Sequence, residues 1–259
     1  MARTLAEIKR DLQTADRAQY EVLARALAAD ERKGVKQALT TARRRLDAQD
    51  AEASRLQQMY EYQEHLAPGC VVAGLDEVGR GPVAGPLCVA CVVLPPNPRI
   101  AGLNDSKQVP EQSRPHIAQE IKDVALAWDI QYVQPDYIDE HGMSAALRLA
   151  FSRSLAAVEA QGISVDVALL DGNPLGFDPR ERNVVKGDAK CASIAAASLI
   201  AKVDRDALMC RLALDYPQYG FEKCKGYASA EHIQAIKDFG LTPVHRASFC
   251  TAWTQETLF

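Results

Sequence analysis

The chain of 259 residues has no apolar run near the roughly 18 residues that would cross a bilayer. Its opening stretch, MARTLAEIKRDL, intersperses charge where a secretory signal would carry an apolar core. The expectation is a protein that is neither membrane-bound nor secreted, working in the cytoplasm. A second metal-ligand pair is also lacking. The one CxxC, Cys88 to Cys91, lies inside the apolar run LCVACVVL and reads as part of a buried strand, without partners at zinc-ribbon spacing. Seven cysteines, odd in number and scattered, fit reduced thiols better than a disulfide framework. There is no basic excess either, because 30 Lys and Arg face 34 Asp and Glu for a net charge of −4. Alone, that balance argues against a nucleic-acid partner, since neutralising phosphates needs a basic face. A metal-dependent nuclease, however, gathers carboxylates at its site and can draw phosphate with bound cations and a local basic patch, so net charge decides little.

Up to Ala67 there is one glycine, Gly34, and no proline. Apolar residues recur at helical spacing through Leu5, Ile8 and Leu12 and again through Val22, Leu23, Ala26 and Leu27, and a third helix is expected over 35–64. Residues 1–67 therefore read as an all-helical extension, nearly neutral, with 12 basic and 11 acidic residues up to Leu66. Arg43, Arg44 and Arg45 on its third helix suit either a solvated face or a phosphate contact. Pro68-Gly69 marks the boundary to residues 68–259, where short β-rich runs alternate with helices. The runs are VVAGLDEVG, PLCVACVVLP, LAWDIQYV, VDVALLDG and NVVKG; helices are expected over 111–124, 136–161, 189–213 and 229–239. The class is α/β, and because the first two strands read as a hairpin, a mixed sheet is expected.

Asp76 and Glu77 interrupt an otherwise apolar strand between Leu75 and Val78. An uncompensated buried carboxylate costs several kcal/mol, and a bound cation is a sufficient reason to place two there. Successive strand residues point to opposite faces, so only one of the pair can face inward directly, and the other needs a bulge or a strand end. Asp171 ends the strand VDVALLDG, where side chains project over the sheet edge. Asp188 stands at the start of the helix AKCASIAAASLIAKVDRD, where N-capping would explain it by itself. Together the four match the oxygen-ligand chemistry of Mg²⁺ or Mn²⁺, with room in the reading for two ions acting in phosphoryl transfer. Residue type and spacing end at a carboxylate metal site on an α/β sheet, with phosphoryl hydrolysis as the leading chemistry.

The blocks GLDEVGRGPVAGP, DSK, LLDGN, KGDAKCASIAAASLIAKVDRD, YPQYGF, KGYASAEH and GLTPVHRASF follow one another from Gly74 to Phe249. In that order they resemble the signature of ribonuclease HII. The resemblance implies a ribonuclease H-like mixed sheet flanked by helices, with a C-terminal helical segment. It also implies catalytic and metal-binding roles for Asp76, Glu77, Asp171 and Asp188. The expected activity is that of an endonuclease on RNA/DNA hybrids and on duplex DNA carrying embedded ribonucleotides, cut on the 5′ side to leave 3′-OH and 5′-phosphate ends. By the same resemblance Gly79, Arg80 and Gly81 read the ribonucleotide 2′-OH and its phosphate, and Tyr227 packs on the adjoining sugar. Lys107, Lys190, Ser193 and Lys202 contact phosphates or support the site. The helical arm resembles the extension of longer bacterial members and would help hold the hybrid, and a monomer is expected. The related ribonuclease HIII family usually has a threonine-glycine-aspartate turn where this chain has Arg80, Gly81 and Pro82. An HIII-like hybrid nuclease and a non-catalytic nucleic-acid-binding relative are the alternatives. His232 and His245, in matched blocks, suit structural or substrate-orienting roles better than acid–base work, because metals can lower the water pKa themselves.

Overall fold

The computed structural model describes residues 3–254. Its contacts divide the chain into two units, Met1–Gln57 and Gln58–Phe259. The first is helical, with α1 (Leu5–Thr14), α2 (Arg17–Ala26) and most of α3 (Lys33–Leu66). Two capping boxes start its short helices, Thr4 with Glu7 and Asp16 with Gln19, each satisfying amide groups that have no partner within the helix. Ile8, Leu12, Tyr20, Val35 and Leu46 form its buried core. Of the three consecutive arginines, Arg45 turns inward to the carbonyls of Leu12 and Ala15, while Arg43 is exposed beside Asp47.

The second unit carries β1 (Val72–Val78), β2 (Leu87–Val93), α4 (Arg114–Val124), β3 (Ala127–Val133), α5 (Pro135–His141), α6 (Met143–Glu159), β4 (Val167–Asp171) and β5 (Glu181–Val184). There follow α7 (Gly187–Lys190), α8 (Ala192–Asp215), α9 (Phe221–Cys224), α10 (Ala230–Phe239) and α11 (Thr251–Thr254). The strands form one sheet in the order β3-β2-β1-β4-β5. β1 and β2 pair antiparallel, as do β2 and β3, whereas β4 runs parallel to β1 and β5 parallel to β4. This is the mixed sheet expected from the hairpin reading.

One face of the sheet, through Ala73, Leu75, Val89 and Cys91, packs on Leu147, Phe151 and Leu155 of α6. The other receives α8, whose first ten residues are buried and mostly Ala, Ser or Ile. Small residues let this helix lie close: a Cβ on Gly74 would stand 2.2 Å from the Ser193 carbonyl carbon. All seven cysteines are free, and among the described residues no helix is long and apolar enough to cross a membrane.

Three expected elements differ in detail. The single helix over 136–161 is two, parted at Gly142, whose φ of 80° breaks the helical path. The long helix after Asp188 is likewise interrupted at Cys191, which is extended at φ −120°. The fifth strand starts two residues before NVVKG and ends three residues sooner, because parallel pairing aligns Val184 with Asp171 and Lys186 then turns left-handed. Residues 255–259, the end of the expected catalytic region, lie outside the described residues.

Candidate metal and nucleic-acid site

Parallel pairing of β1 with β4 runs to Leu75 opposite Leu170. The next residue on each strand is an aspartate, Asp76 and Asp171, so neighbouring strands about 4.8 Å apart bring two carboxylates to one sheet edge. Asp76 shares the α8 face with Gly74; Glu77, by alternation, leaves on the α6 face with Leu75. Both nevertheless line one cleft, because β1 ends at Val78 and the chain turns away at Gly79 with φ 90°. The structure thus uses the strand end, and no bulge is needed.

The cleft, about 330 Å³, is lined by Asp76, Glu77, Asp171, Asp188, Gly79, Arg80, Gly81, Lys107, Lys202 and Tyr227, with Ser106 and Ser198 at its floor. Asp76 is buried and accepts the Glu77 amide at 2.8 Å. Burial, then Glu77, push its carboxyl well above the ordinary carboxylate range, against the pull of the Ser198 hydroxyl. Burial also lifts Glu77 to about 6, although Arg80 lies 3.6 Å away and draws it down. Asp171 accepts the Gly187 amide at 2.6 Å, which ties β4 to the start of α7.

Asp188 is not the N-cap that its sequence position suggests. The cap of α7 is Lys186, with no side-chain capping bond, and Asp188 lies in the first turn of this short helix. Its carboxyl is raised by burial and by Asp171, and its cationic neighbour is Lys107, 3.8 Å away. Freed from capping, the side chain joins the cleft.

Two expected residues do not line it. Lys190 donates to the Val185 carbonyl at 2.9 Å, and Ser193 is wholly buried against Cys191, its amide on Gln63. Burial leaves Ser193 a supporting position and no surface for contact.

The carboxylates suit a hard divalent cation in donor type, oxygen alone, and in charge, since Glu77 and Asp171 raise Asp76 and Asp171 raises Asp188. Among the described residues no three His, Cys, Asp or Glu side chains form a ready-made ligand ring, so the fit is one of chemistry and charge.

Two arginines that residue type and spacing did not single out organise the loops around the cleft. Arg246, fully buried, gives five hydrogen bonds to the carbonyls of Gly79, Arg80, Pro82 and Gly85, at 2.6 to 3.1 Å. Arg205 gives three, to Pro86, Ala84 and Lys225. The Gly226 carbonyl accepts from Val83 and Ala84, so the Gly79–Gly81 turn and the Tyr227 loop form one assembly. Arg205 had a signal in the sequence: it lies four residues after Ala201 and four before Met209, on a buried helical stripe. Arg246 follows His245 in an irregular segment where no periodicity marks an interior residue.

The same packing separates the two glycines of the turn. A Cβ on Gly79 would meet the Arg205 side chain at 2.1 Å, at a φ of 90° that side chains resist; one on Gly81 finds only Tyr227, at 3.8 Å. Gly79→Ala is therefore expected to lower unfolding free energy by about 2 kcal/mol or more, and Gly81→Ala by under about 0.5 kcal/mol. Thermal melting of both variants checks this, and equal losses would refute it.

The profile described as Ribonuclease HII matches residues 73–252, and that of the Ribonuclease HII N-terminal domain matches residues 4–67. A ribonuclease HII of Halalkalibacterium halodurans is 40% identical over 260 residues, covering 98% of each chain. Among solved structures, the ribonuclease H2 from Pyrococcus horikoshii OT3 superposes with a TM-score of 0.59 at 27% identity, over 71% of this chain and 99% of that one. Bst-RNase HIII, solved in complex with Mn²⁺, does so at 0.60 and 20% identity, over 74% of this chain and 71% of that one. The ribonuclease H-like fold is thereby confirmed.

Proposed function

Because this chain belongs to the ribonuclease HII family, we propose that it hydrolyses the RNA strand of RNA/DNA hybrids and incises duplex DNA on the 5′ side of single embedded ribonucleotides. The products are 3′-OH and 5′-phosphate ends. The carrying observation is that the four carboxylates share one cleft with the Gly79–Gly81 turn and Tyr227, so a reading surface adjoins the charge that cleavage needs.

Asp76, Glu77, Asp171 and Asp188 would hold Mg²⁺ or Mn²⁺, in our reading two ions. Bound there, the ions supply positive charge and Lewis acidity for in-line displacement at phosphorus. Lys107 and Lys202 offer cationic contacts to the substrate phosphates, with Lys202 held by Asp206 at 2.8 Å. Lys190 and Ser193 support α7 and the start of α8. The carbonyls of Gly79 and Arg80 are committed inward to Arg246, which would leave the turn's other backbone groups to face the sugar that bears the 2′-OH. Tyr227, half exposed, presents its ring to the neighbouring sugar. Residues 1–67 act as the arm that holds the hybrid and residues 68–259 as the catalytic domain. The free thiols fit work in a reducing cytoplasm.

The test is a labelled DNA duplex with one ribonucleotide, incubated with Mg²⁺, with Mn²⁺ or with EDTA, beside an all-DNA duplex. The expected result is metal-dependent incision of the ribonucleotide strand alone, immediately 5′ of that residue. Cleavage confined to hybrids with several ribonucleotides would favour the HIII-like alternative, and cutting of the all-DNA duplex would remove the role given to the turn.

A further inference from the structure

His232 and His245 are buried beneath the Tyr227 loop, their Nε2 atoms 3.1 Å apart. Rings cover them: Tyr219 lies 4.8 Å from His245 and Phe221 lies 5.3 Å from His232. Two imidazoles this close share one hydrogen bond, and which ring donates is set by the main chain. The Thr242 amide donates to His245 Nδ1 at 3.1 Å. A ring nitrogen that accepts carries no proton, so neutral His245 holds its proton on Nε2. His232 Nε2 must then accept, which leaves its own proton on Nδ1, 2.8 Å from the Tyr227 carbonyl. The Thr242 hydroxyl, 2.8 Å from His245 Nδ1, donates in the same direction. Every bond from Thr242 to Tyr227 is thus satisfied by one pair of tautomers and by no other.

We propose that His232 and His245 are a positioning pair for Tyr227, a neutral relay of fixed direction that anchors its carbonyl and holds its ring at the cleft. The proposal rests on the reading of Tyr227 as a substrate contact. A second proton on His245 would set an N–H against the Thr242 amide, and one on His232 would set it against the His245 N–H. Either breaks the chain of bonds. The surroundings agree. Burial lowers His232, and burial followed by His232 brings His245 down to about 4. The hydroxyl of neighbouring Tyr219 is committed to the Gly240 carbonyl, and apart from the pair itself no ionisable side chain is among the groups acting on either ring. Since unfolding frees both rings to take protons, the stability that the pair contributes is whole above the ordinary histidine value of 6.5 and declines as pH falls toward about 4.

Two measurements on the full chain test this. Nitrogen-15 NMR of the imidazoles should show both rings neutral at pH 6.5, with the proton on Nδ1 of His232 and on Nε2 of His245. Charged rings or reversed tautomers would overturn the relay, whatever the enzyme cuts. In kinetics on the one-ribonucleotide duplex, His232→Phe should raise KM about tenfold with kcat little changed, as for lost uniform binding, in protein whose folding is checked by melting. His232→Asn, whose carboxamide can still donate to the Tyr227 carbonyl, should recover most of that loss. A wild-type enzyme that cuts this duplex beside a His232→Phe variant of unchanged KM would sink the positioning role and leave the site reading intact. A wild type that does not cut it would remove that reading, and the NMR result would still decide the relay.

Discussion

Asp76→Asn is expected to abolish cleavage, by about a thousandfold or more on the scale of several kcal/mol of charge stabilisation, while leaving the cation-free protein at least as stable as before. The amide keeps an oxygen for the Glu77 N–H and removes a charge that burial, Glu77 and Asp171 all oppose. A carboxyl raised in the folded state binds its proton more tightly there than in the unfolded chain, so the stability of the cation-free wild type falls as pH climbs above the ordinary aspartate value. The variant lacks that loss. Its melting advantage in EDTA should therefore be larger at pH 8 than at pH 4, and binding to hybrid should persist. Asp171→Asn should lose cleavage to a similar degree. Near wild-type turnover in either variant would remove the carboxylates from the mechanism; a lower melting temperature for Asp76→Asn at pH 8 would refute the electrostatic account.

Arg246→Met should cost about 3 kcal/mol or more of unfolding free energy, roughly 10 °C of melting temperature for a domain this size, because several buried carbonyls lose their donor together. Arg246→Lys should restore little, since an ammonium cannot reproduce a planar fork directed at four carbonyls. Burial, then Arg205, bring the Arg246 guanidinium down to about 10, so it stays cationic at neutral pH. In protein still folded at low temperature, preference for the ribonucleotide strand should fall, because Gly79 and Arg80 are the residues it holds. Denaturant unfolding and cleavage of paired ribo- and deoxyribo-substrates measure the two effects. Unchanged melting with unchanged preference would show the turn to be held by Arg205 and the backbone alone.

Much of the architecture was legible. Alternation and apolar runs located four strands closely, and the carboxylate pair inside β1 announced itself through the cost of burying charge. Ordered blocks then identified the family. What escaped was what depends on partners distant in the chain. Gly142 breaks a helix through one backbone angle that residue pattern does not reveal. Asp188 reads as a cap until α7 and α8 are seen as separate helices. Ser106 and Ser198, 92 positions apart, meet at 3.1 Å beneath Asp76, and either alone is an ordinary serine.

By itself, then, the sequence determined the class of the fold, the place of the sheet and the carboxylates that interrupt or end its apolar strands, because periodicity and the desolvation of charge act over a few neighbouring positions. Only the tertiary structure decided which residues form the cleft, how Glu77 reaches it from the opposite face, and how two buried arginines and a histidine pair hold the Gly79–Gly81 turn and the Tyr227 loop. Those outcomes rest on hydrogen bonds whose geometry exists only once strands and loops far apart in the chain have packed.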